Sequence, residues 1–492
     1  MRSIIIYSLL IVIAGFVFYA CEDDFVTKEF TNGVVDENFF KDDKDAEQAL
    51  TAVYDIISSK GLYREAVLVL GSSTADNIDE QTGDNGDYGT HFRAASDFRW
   101  LPDNPFSSAR WYDAYKGIFR ANILLERLPD IEMDNAFRDR FTAEAKFLRA
   151  LFYWNLVITF GDVPFTTEVL TREEYAELAR TNQDIIYAQI EQDLLEAIDA
   201  LPLESNPVGR VTKGAALAFL GRVYLYQGKW QESAQYTKQV LDLGQYQLVE
   251  DYISMFNGKN ENSQESVLEL QSVSRAPGVW GNQTENFYSF HWSPMIGWAN
   301  WFTPSEESKA LFVEGDIRRK SVLIVGATPP DSIDTDGDGE LEEFPSENMN
   351  TTYFNNANVR KWLPDGTNMA DANNFNVNYP IIRYAEILLN YAEALNELGQ
   401  SSEALAPLNM VRERAQIAPV TETDQASLRE IIRQERRVEL VYEGHRFFDL
   451  ARWGLLEEKL GPLGFVSGRH EYWPVPPAEL DLMPNLTQYP NN

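Results

Sequence analysis

Residues 380–399 read PIIRYAEILLNYAEALNELG, and residues 400–415 continue QSSEALAPLNMVRERA. Ile381, Tyr384, Leu388, Tyr391, Leu395 and Leu398 recur every three or four positions, so a helix over 381–398 carries one continuous apolar stripe. Gly399 ends it, because glycine accepts the left-handed conformation that a tight reversal needs. A second helix over 402–415 returns Leu405, Leu408, Val411 and Ala415 against the first. Small residues such as Ala392 and Ala404, where two antiparallel helices touch, give the pair a tetratricopeptide-like character. These aromatic and aliphatic side chains read as core and not as a ligand box.

The same pattern occurs upstream. AFLGRVYLYQGKWQESAQY (218–236) places Gly221, Tyr224, Gly228, Trp230 and Ser233 or Ala234 as the second pair would need them, and 148–161 is a weaker third instance. Helical spacing also marks the stretch from Asp45, where Ala49, Leu50, Val53, Tyr54 and Ile57 share a face. It recurs at 111–128, 140–159, 183–200, 213–227, 230–243, 425–443 and 446–458. Between 257 and 380 the regular pattern fails, and Asn, Gly, Pro, Ser and Trp dominate around short apolar runs such as Val267-Leu268-Glu269-Leu270. A stretch of that length inside a helical body is usually functional, and loops with a few short strands are expected there. The fold class is therefore mainly α: tetratricopeptide-like helix pairs packed against a loop-rich variable region with a few short strands. The expected divisions are a signal peptide at 1–20, an acidic tether at 21–40, an N-terminal helical part at 41–256, a loop-rich ligand-side insertion at 257–380 and a C-terminal helical part at 381–492.

The 492 residues carry 42 Lys and Arg against 76 Asp and Glu, a net charge of −34. Such a surface repels phosphate backbones, so nucleic acid is excluded as a partner. The acidic balance leans towards a neutral ligand over a polyanionic one. The four histidines, His91, His291, His445 and His470, lack metal-ligand spacing, which argues against a zinc site. Residues 4–20 are almost wholly apolar, follow Arg2, and stop at Ala20-Cys21. That is a signal-peptide core with the boundary of a bacterial lipoprotein, so Cys21 is the expected lipidation site. As the only cysteine, Cys21 has no partner for an intramolecular disulfide.

Several motifs occur in order in the last third: PIIRYAEILLNYAEALNELG, LNMVRERA (408–415), IIRQERRVELVYEGHRFFDLARWG (431–454), YWPVPPAEL (472–480) and PNLTQYP (484–490). With DAEQALTAVYD, WYDAYKGIFRANILLERL, AEAKFLRALFYWNLVITFGDVPF and TKGAALAFLGRVYLYQGKW upstream, the chain resembles the SusD/RagB family of Bacteroidetes over roughly residues 38–490. EGHRFFDLARWG is the most specific piece. The acidic run Glu22-Asp23-Asp24 after Cys21 resembles the surface-export signal of Bacteroidetes lipoproteins. The resemblance implies a lipid-anchored, surface-exposed protein of the outer membrane. It also implies a partner, a SusC-like TonB-dependent barrel that receives captured oligosaccharides or peptides. A protein that captures oligosaccharide or polysaccharide and is not an enzyme is the leading expectation. A peptide-binding member of the same system and a protein-interaction scaffold are the alternatives, and a glycoside hydrolase comes last.

Four clusters are candidate sites. The charge-dense run Glu435, Arg436, Arg437, Glu439, Glu443, His445, Arg446 and Asp449 mixes signs at helical spacing and reads as ion pairs bracing the scaffold. Trp280, Tyr288, Trp292, Trp298 and Trp301 lie among Asn282, Gln283 and Asn300 in the loop-rich stretch. Flat apolar rings with amides nearby suit the C–H faces and hydroxyls of sugars, and the competing reading is a small core under long loops. Asp76, Asn77, Tyr88, Arg93 and Trp100 fall in 74–100, read as a loop, which the resemblance places near the ligand surface; a solvated acidic loop is the alternative. Finally, DTDGDGELEE (334–343) begins like a calcium-binding loop, with Asp334, Asp336 and Asp338 alternating before Gly339. Pro345 stands where the closing Glu belongs, so Glu342 or Glu343 must close a structural calcium site in which Glu340 is a further candidate ligand, or the run is a solvated turn. No cofactor is otherwise expected.

Overall fold

A computed structural model describes residues 39–80, 87–272, 302–324, 332–333, 342–343, 358–359, 361–362 and 377–489. In the N-terminal half, helices α1 (Asp43–Asp55), α2 (Asp87–Ser96), α3 (Pro105–Arg127), α4 (Asn135–Phe160) and α5 (Gln183–Ile198) are each set by local chemistry. Asn104 caps α3 by accepting from the Phe106 amide at 3.0 Å, with Pro105 in the first turn. Asp134 and Asn182 cap α4 and α5 in the same way. α4 runs through the centre against α3 and α5, and its residues from Phe147 to Val157 are all buried. It stops at Gly161, whose φ is +68°.

Helices α6 (Lys213–Tyr226) and α7 (Trp230–Asp242) form one antiparallel pair; α8 (Tyr384–Glu397) and α9 (Ser401–Arg414) form another. The two turns are built alike. In the first, the Gly228 amide donates to Leu225 and the Lys229 amide to Tyr224; in the second, Gly399 donates to Asn396 and Gln400 to Leu395. Both glycines sit at positive φ, +68° and +77°. A methyl group on Gly221 would lie 2.7 Å from Thr237 Cγ2, so the α6–α7 approach requires glycine, and Ser233 Oγ donates across it to the Gly221 carbonyl at 2.9 Å. Leu225, Ala234 and Ala394 share one small core under Trp230, Tyr391 and Leu398. The two pairs are therefore consecutive layers of one stack, and the long stretch between Asp242 and Tyr384 leaves and re-enters between adjacent layers.

Strands in the described residues are short. β1 (Ile78–Glu80) pairs with β3 (Phe302–Pro304), and β2 (Ser266–Leu270) with β4 (Tyr379–Arg383), both antiparallel. The two-residue strands Leu323–Ile324 and Asn358–Val359 pair, as do Ser332–Ile333 and Glu342–Glu343. Three expectations need correction. Residues 74–100 are not one loop: they contain β1 and α2. Tyr379–Arg383 is a strand buried along its length, so Ile381 belongs to a sheet and the helix begins at Tyr384. The stretch 446–458 is broken, with α11 (Arg446–Arg452) ending at Trp453 and a further turn at Leu456–Leu460. Wide π-type turns at Lys60–Arg64 and Val69–Ser73 carry no mark in the sequence pattern. None of the described helices is long and apolar enough to cross a membrane.

The charged helix α10 (Gln425–Glu439) and the segment after it brace the scaffold, as their mixed signs suggest. Arg436 Nε donates to Asp449 at 2.7 Å, and Arg452 holds Glu393. Arg383 reaches Glu265, Glu439 and Glu443, and Arg318 reaches Asp316, Glu435 and Glu439. Arg222 ties α6 to Glu386 of α8. Burial opposes the charge on Glu386 and Asp449, but their arginine partners win and both carboxyls fall to about 2. His445, half-buried beside them, is pulled down to about 4, chiefly by its loss of solvent, so it is neutral at pH 7.

Candidate ligand-binding site

The two segments singled out for ligand contact are joined by the β1–β3 ladder. Glu80 pairs with Phe302, so the chain passes into 81–86 and arrives from 301 at the same end of the ladder. Below it, Ser305 donates its hydroxyl to the Asp76 carbonyl at 2.8 Å and its amide to the Asn77 carbonyl at 3.1 Å. The Asp76 carboxylate receives two parallel bonds from Arg446 and lies 3.1 Å from Arg437. Burial raises the Asp76 pKa; the hydrogen bonds and charge of Arg446, with Arg437 behind it, outweigh that and hold it below the ordinary value. Arg437 Nε also donates to Asn77 Oδ1 at 2.9 Å.

A second root lies at the end of the β2–β4 ladder, where Leu270 pairs with Tyr379. Asn378 is its knot: Oδ1 accepts from the Ser272 amide at 2.7 Å, and Nδ2 donates to Glu269 at 3.0 Å and Gln271 at 3.2 Å. Its own amide donates to Glu261 at 3.0 Å. Burial and the neighbouring Glu269 push Glu261 up to about 7, against the pull of that amide bond. The third root is Lys361-Trp362. Lys361 Nζ donates to Glu443, Tyr252 and the Val441 carbonyl within 3.0 Å, and Trp362 Nε1 donates to the Tyr442 carbonyl at 3.1 Å.

All three roots meet at Tyr442-Glu443. The Tyr442 hydroxyl lies 2.5 Å from Ser308 Oγ and donates to the Asn77 carbonyl at 3.4 Å. Glu443 takes Lys361 and Arg383 on its carboxylate, while its carbonyl accepts from Tyr379 at 2.8 Å. Gly444 follows at φ +78°, so close to the chain opposite that a methyl group would lie 2.6 Å from Val67 Cγ2. The segment YEGHR thus holds the three points at which the chain leaves and re-enters the described residues.

The expected site residues fall into four groups. Asp76, Asn77 and Trp100 are corrected to scaffold. The first two hold the root just described, and Trp100 is 6% exposed, stacked on Trp473 at 4.1 Å and 8°, with Nε1 donating to the Ala95 carbonyl. No face of that indole is left for a sugar. Tyr88 and Arg93 both lie on α2, Arg93 being half-buried. Cys21, Trp280, Tyr288, Trp292, Trp298, Trp301, Asp334, Asp336, Asp338 and Glu340 lie outside the described residues. Glu342 and Glu343 form one arm of a two-residue ladder whose other arm is Ser332–Ile333. Among the described residues no three acidic, His or Cys side chains gather as metal ligands. The carboxylates around Tyr442 are all engaged by cations, which suits a rigid mount. The roots at Asn378 and Lys361-Trp362 were missed; RKW (360–362), a charged-aromatic run inside a polar loop, was the available signal.

Comparison with known proteins agrees with this architecture. A profile of the SusD family matches residues 331–464, and a profile described as starch-binding associating with outer membrane matches 45–225. A SusD-like protein of Formosa agariphila is 28% identical, the match covering 99% of this chain and 98% of that one. The starch-binding protein SusD of Bacteroides thetaiotaomicron is 23% identical, with 79% of each chain covered. Among solved structures, a laminarin-binding SusD-like protein superposes with a TM-score of 0.77 at 32% identity, covering 92% of this chain and 100% of that one.

Proposed function

Because the chain belongs to the SusD/RagB family, we propose that it is a surface glycan-binding lipoprotein and not an enzyme. It captures oligosaccharides and passes them to a SusC-like TonB-dependent outer-membrane transporter. The observation that carries this reading is the end-to-end match to a laminarin-binding relative. The mount at Tyr442-Glu443 supports it, since it gathers the roots of the segments that carry Trp280, Tyr288, Trp292, Trp298 and Trp301. Tyr88 and Arg93 on α2 remain proposed contacts at the edge of the same segments. The acidic composition and the names of two relatives favour a neutral glucan as cargo. Cys21 is the proposed lipid anchor, and two or more acyl chains there hold the body stably at the membrane. We further propose that the acidic run 334–341, with Glu342 or Glu343, holds a structural calcium ion.

The test is native affinity electrophoresis of the chain beginning after Cys21, in gels containing laminarin, starch or a charged polysaccharide, beside Trp301→Ala. Retardation by a neutral glucan, lost in the folded variant, supports glycan capture through this face. Equal mobility in every gel moves the protein to peptide cargo or a docking role, to be read by pull-down of a peptide pool or of the barrel.

A further inference from the structure

A cleft of about 560 Å³ opens between α4, α5, α6, α11 and the segment around Tyr472, none of which is a root of the loop-borne site. Its walls are aromatic: Tyr187, Tyr226, Phe448 and Tyr472. The hydroxyls of Tyr187 and Tyr226 have no hydrogen-bond partner among the described residues, and neither is sealed from solvent. Gln183 and Gln227 add amides, while Asp184 and Ala188 stand exposed at the mouth. Both cations of the lining are already engaged, Lys229 by Glu191 and Arg452 by Glu393 and Asp449. An anion would therefore find no uncommitted positive charge there, and a wholly apolar ligand would leave the two phenols unpaired. Flat rings for C–H faces with two unpartnered hydroxyls between them match a neutral polyhydroxylated ligand, and the amides of Gln183 and Gln227 stand beside them, Gln183 Oε1 accepting from the Tyr472 hydroxyl and Gln227 Nε2 donating to Glu191. The volume is within the ordinary range for small-ligand sites.

We propose that this cleft is a second carbohydrate subsite, taking one or two neutral sugar rings apart from the loop-borne face. The ligand class rests on the glycan-binding reading above. It would let the protein hold one long glycan at two points, or retain a short product beside it.

Full-length protein in a non-glycosidic detergent is titrated calorimetrically with laminaritriose and with maltotriose. Ala188→Trp fills the mouth from an exposed position, Tyr187→Phe removes one free hydroxyl, and Trp301→Ala weakens the loop-borne face. The expected result is residual binding in Trp301→Ala that Ala188→Trp abolishes and Tyr187→Phe weakens at least fivefold. Residual binding unchanged by both cleft variants, or no residual binding while Ala188→Trp alone binds like the parent, overturns the second subsite and leaves glycan capture standing. A parent protein that binds neither sugar nor laminarin or starch overturns both.

Discussion

Arg446 Nε lies 2.7 Å from Asp76 Oδ1 and its Nη2 lies 2.6 Å from Oδ2, a two-pronged pair joining positions 370 residues apart. Both side chains are more than nine-tenths buried. Arg437 also lies 3.1 Å from Asp76, so the carboxylate serves two guanidinium groups. Removing one partner of a buried pair costs about 3–5 kcal/mol. Asp76→Ala leaves Arg446 and Arg437 facing each other, whereas Arg446→Ala leaves Asp76 with Arg437. Denaturant unfolding is expected to rank Asp76→Ala as the more damaging, with glycan affinity falling in both because the β1–β3 root is disturbed. Equal midpoints for the two variants would show that Arg437 contributes nothing.

Acid is expected to destabilise the protein in two overlapping stretches. His445 titrates near 4 when folded against 6.5 ordinarily, so its contribution is full above 6.5 and is lost as pH falls through 4. Glu386 is held at about 2 against 4.5, so its contribution is full above 4.5 and is lost as pH falls through 2. Glu386 alone accounts for about 3 kcal/mol on that scale. Thermal melts from pH 7 to 2 test this. His445→Gln should reduce chiefly the upper loss and Glu386→Gln chiefly the lower, where Asp449, also held at about 2, keeps part of it.

Glu261 predicts the opposite sign. Its folded pKa of about 7 exceeds 4.5, so it favours the fold below pH 4.5 and that favour is lost as pH rises through 7. Glu261→Gln keeps an acceptor for the Asn378 amide and removes the charge. It should raise stability at pH 8 by about 1–2 kcal/mol, a figure reduced for the group's partial exposure, and change nothing at pH 4. A variant with the same gain at both pH values would point to packing instead.

Two glycines at positive φ separate backbone strain from crowding. At Gly399, with φ at +77°, a methyl group would find nothing within 4 Å, so Gly399→Ala should cost about 1–2 kcal/mol. Gly444, at +78°, faces Val67 Cγ2 at 2.6 Å and the Val67 carbonyl at 2.7 Å. Gly444→Ala adds overpacking of about 1–3 kcal/mol. Unfolding midpoints should therefore drop further for Gly444→Ala, and a smaller loss there than at Gly399 would contradict the contact.

For the acidic run at 334–343, millimolar calcium should raise the melting temperature and EGTA reverse it, with Asp336→Asn insensitive to both. A melting temperature indifferent to calcium removes the ion from the account and leaves a solvated turn.

The repeat helices were legible because their apolar residues keep the helical period and their turns use glycine. Where two periods fit equally well, sequence misled: Ile381 continues the stripe of α8 in register, yet YPIIR is a strand buried on both faces, and such a strand shows no alternation to betray it. Helix α2, DYGTHFRAAS, carries too little apolar periodicity to stand out from its polar surroundings. The mixed charges of α10 announced ion pairs, but their partners could not be read, since Arg437 meets Asp76 from 361 residues away. Trp100 was mistaken for a ligand platform for the same reason. Its stacking partner, Trp473, is supplied by the far end of the chain, and burial by a distant residue leaves no local mark.

The meeting of three loop roots on Tyr442-Glu443 works like a tripod head. Load applied to one leg is shared by the other two, because none can tilt without moving the common joint. If the segment that ends at Phe302 holds sugar as proposed, a pull on it strains the footing of the segments anchored at Asn378 and Trp362 as well. Grip on a long polymer is then spread over the whole mount, and the contacts themselves can be exchanged for others without recutting the joint.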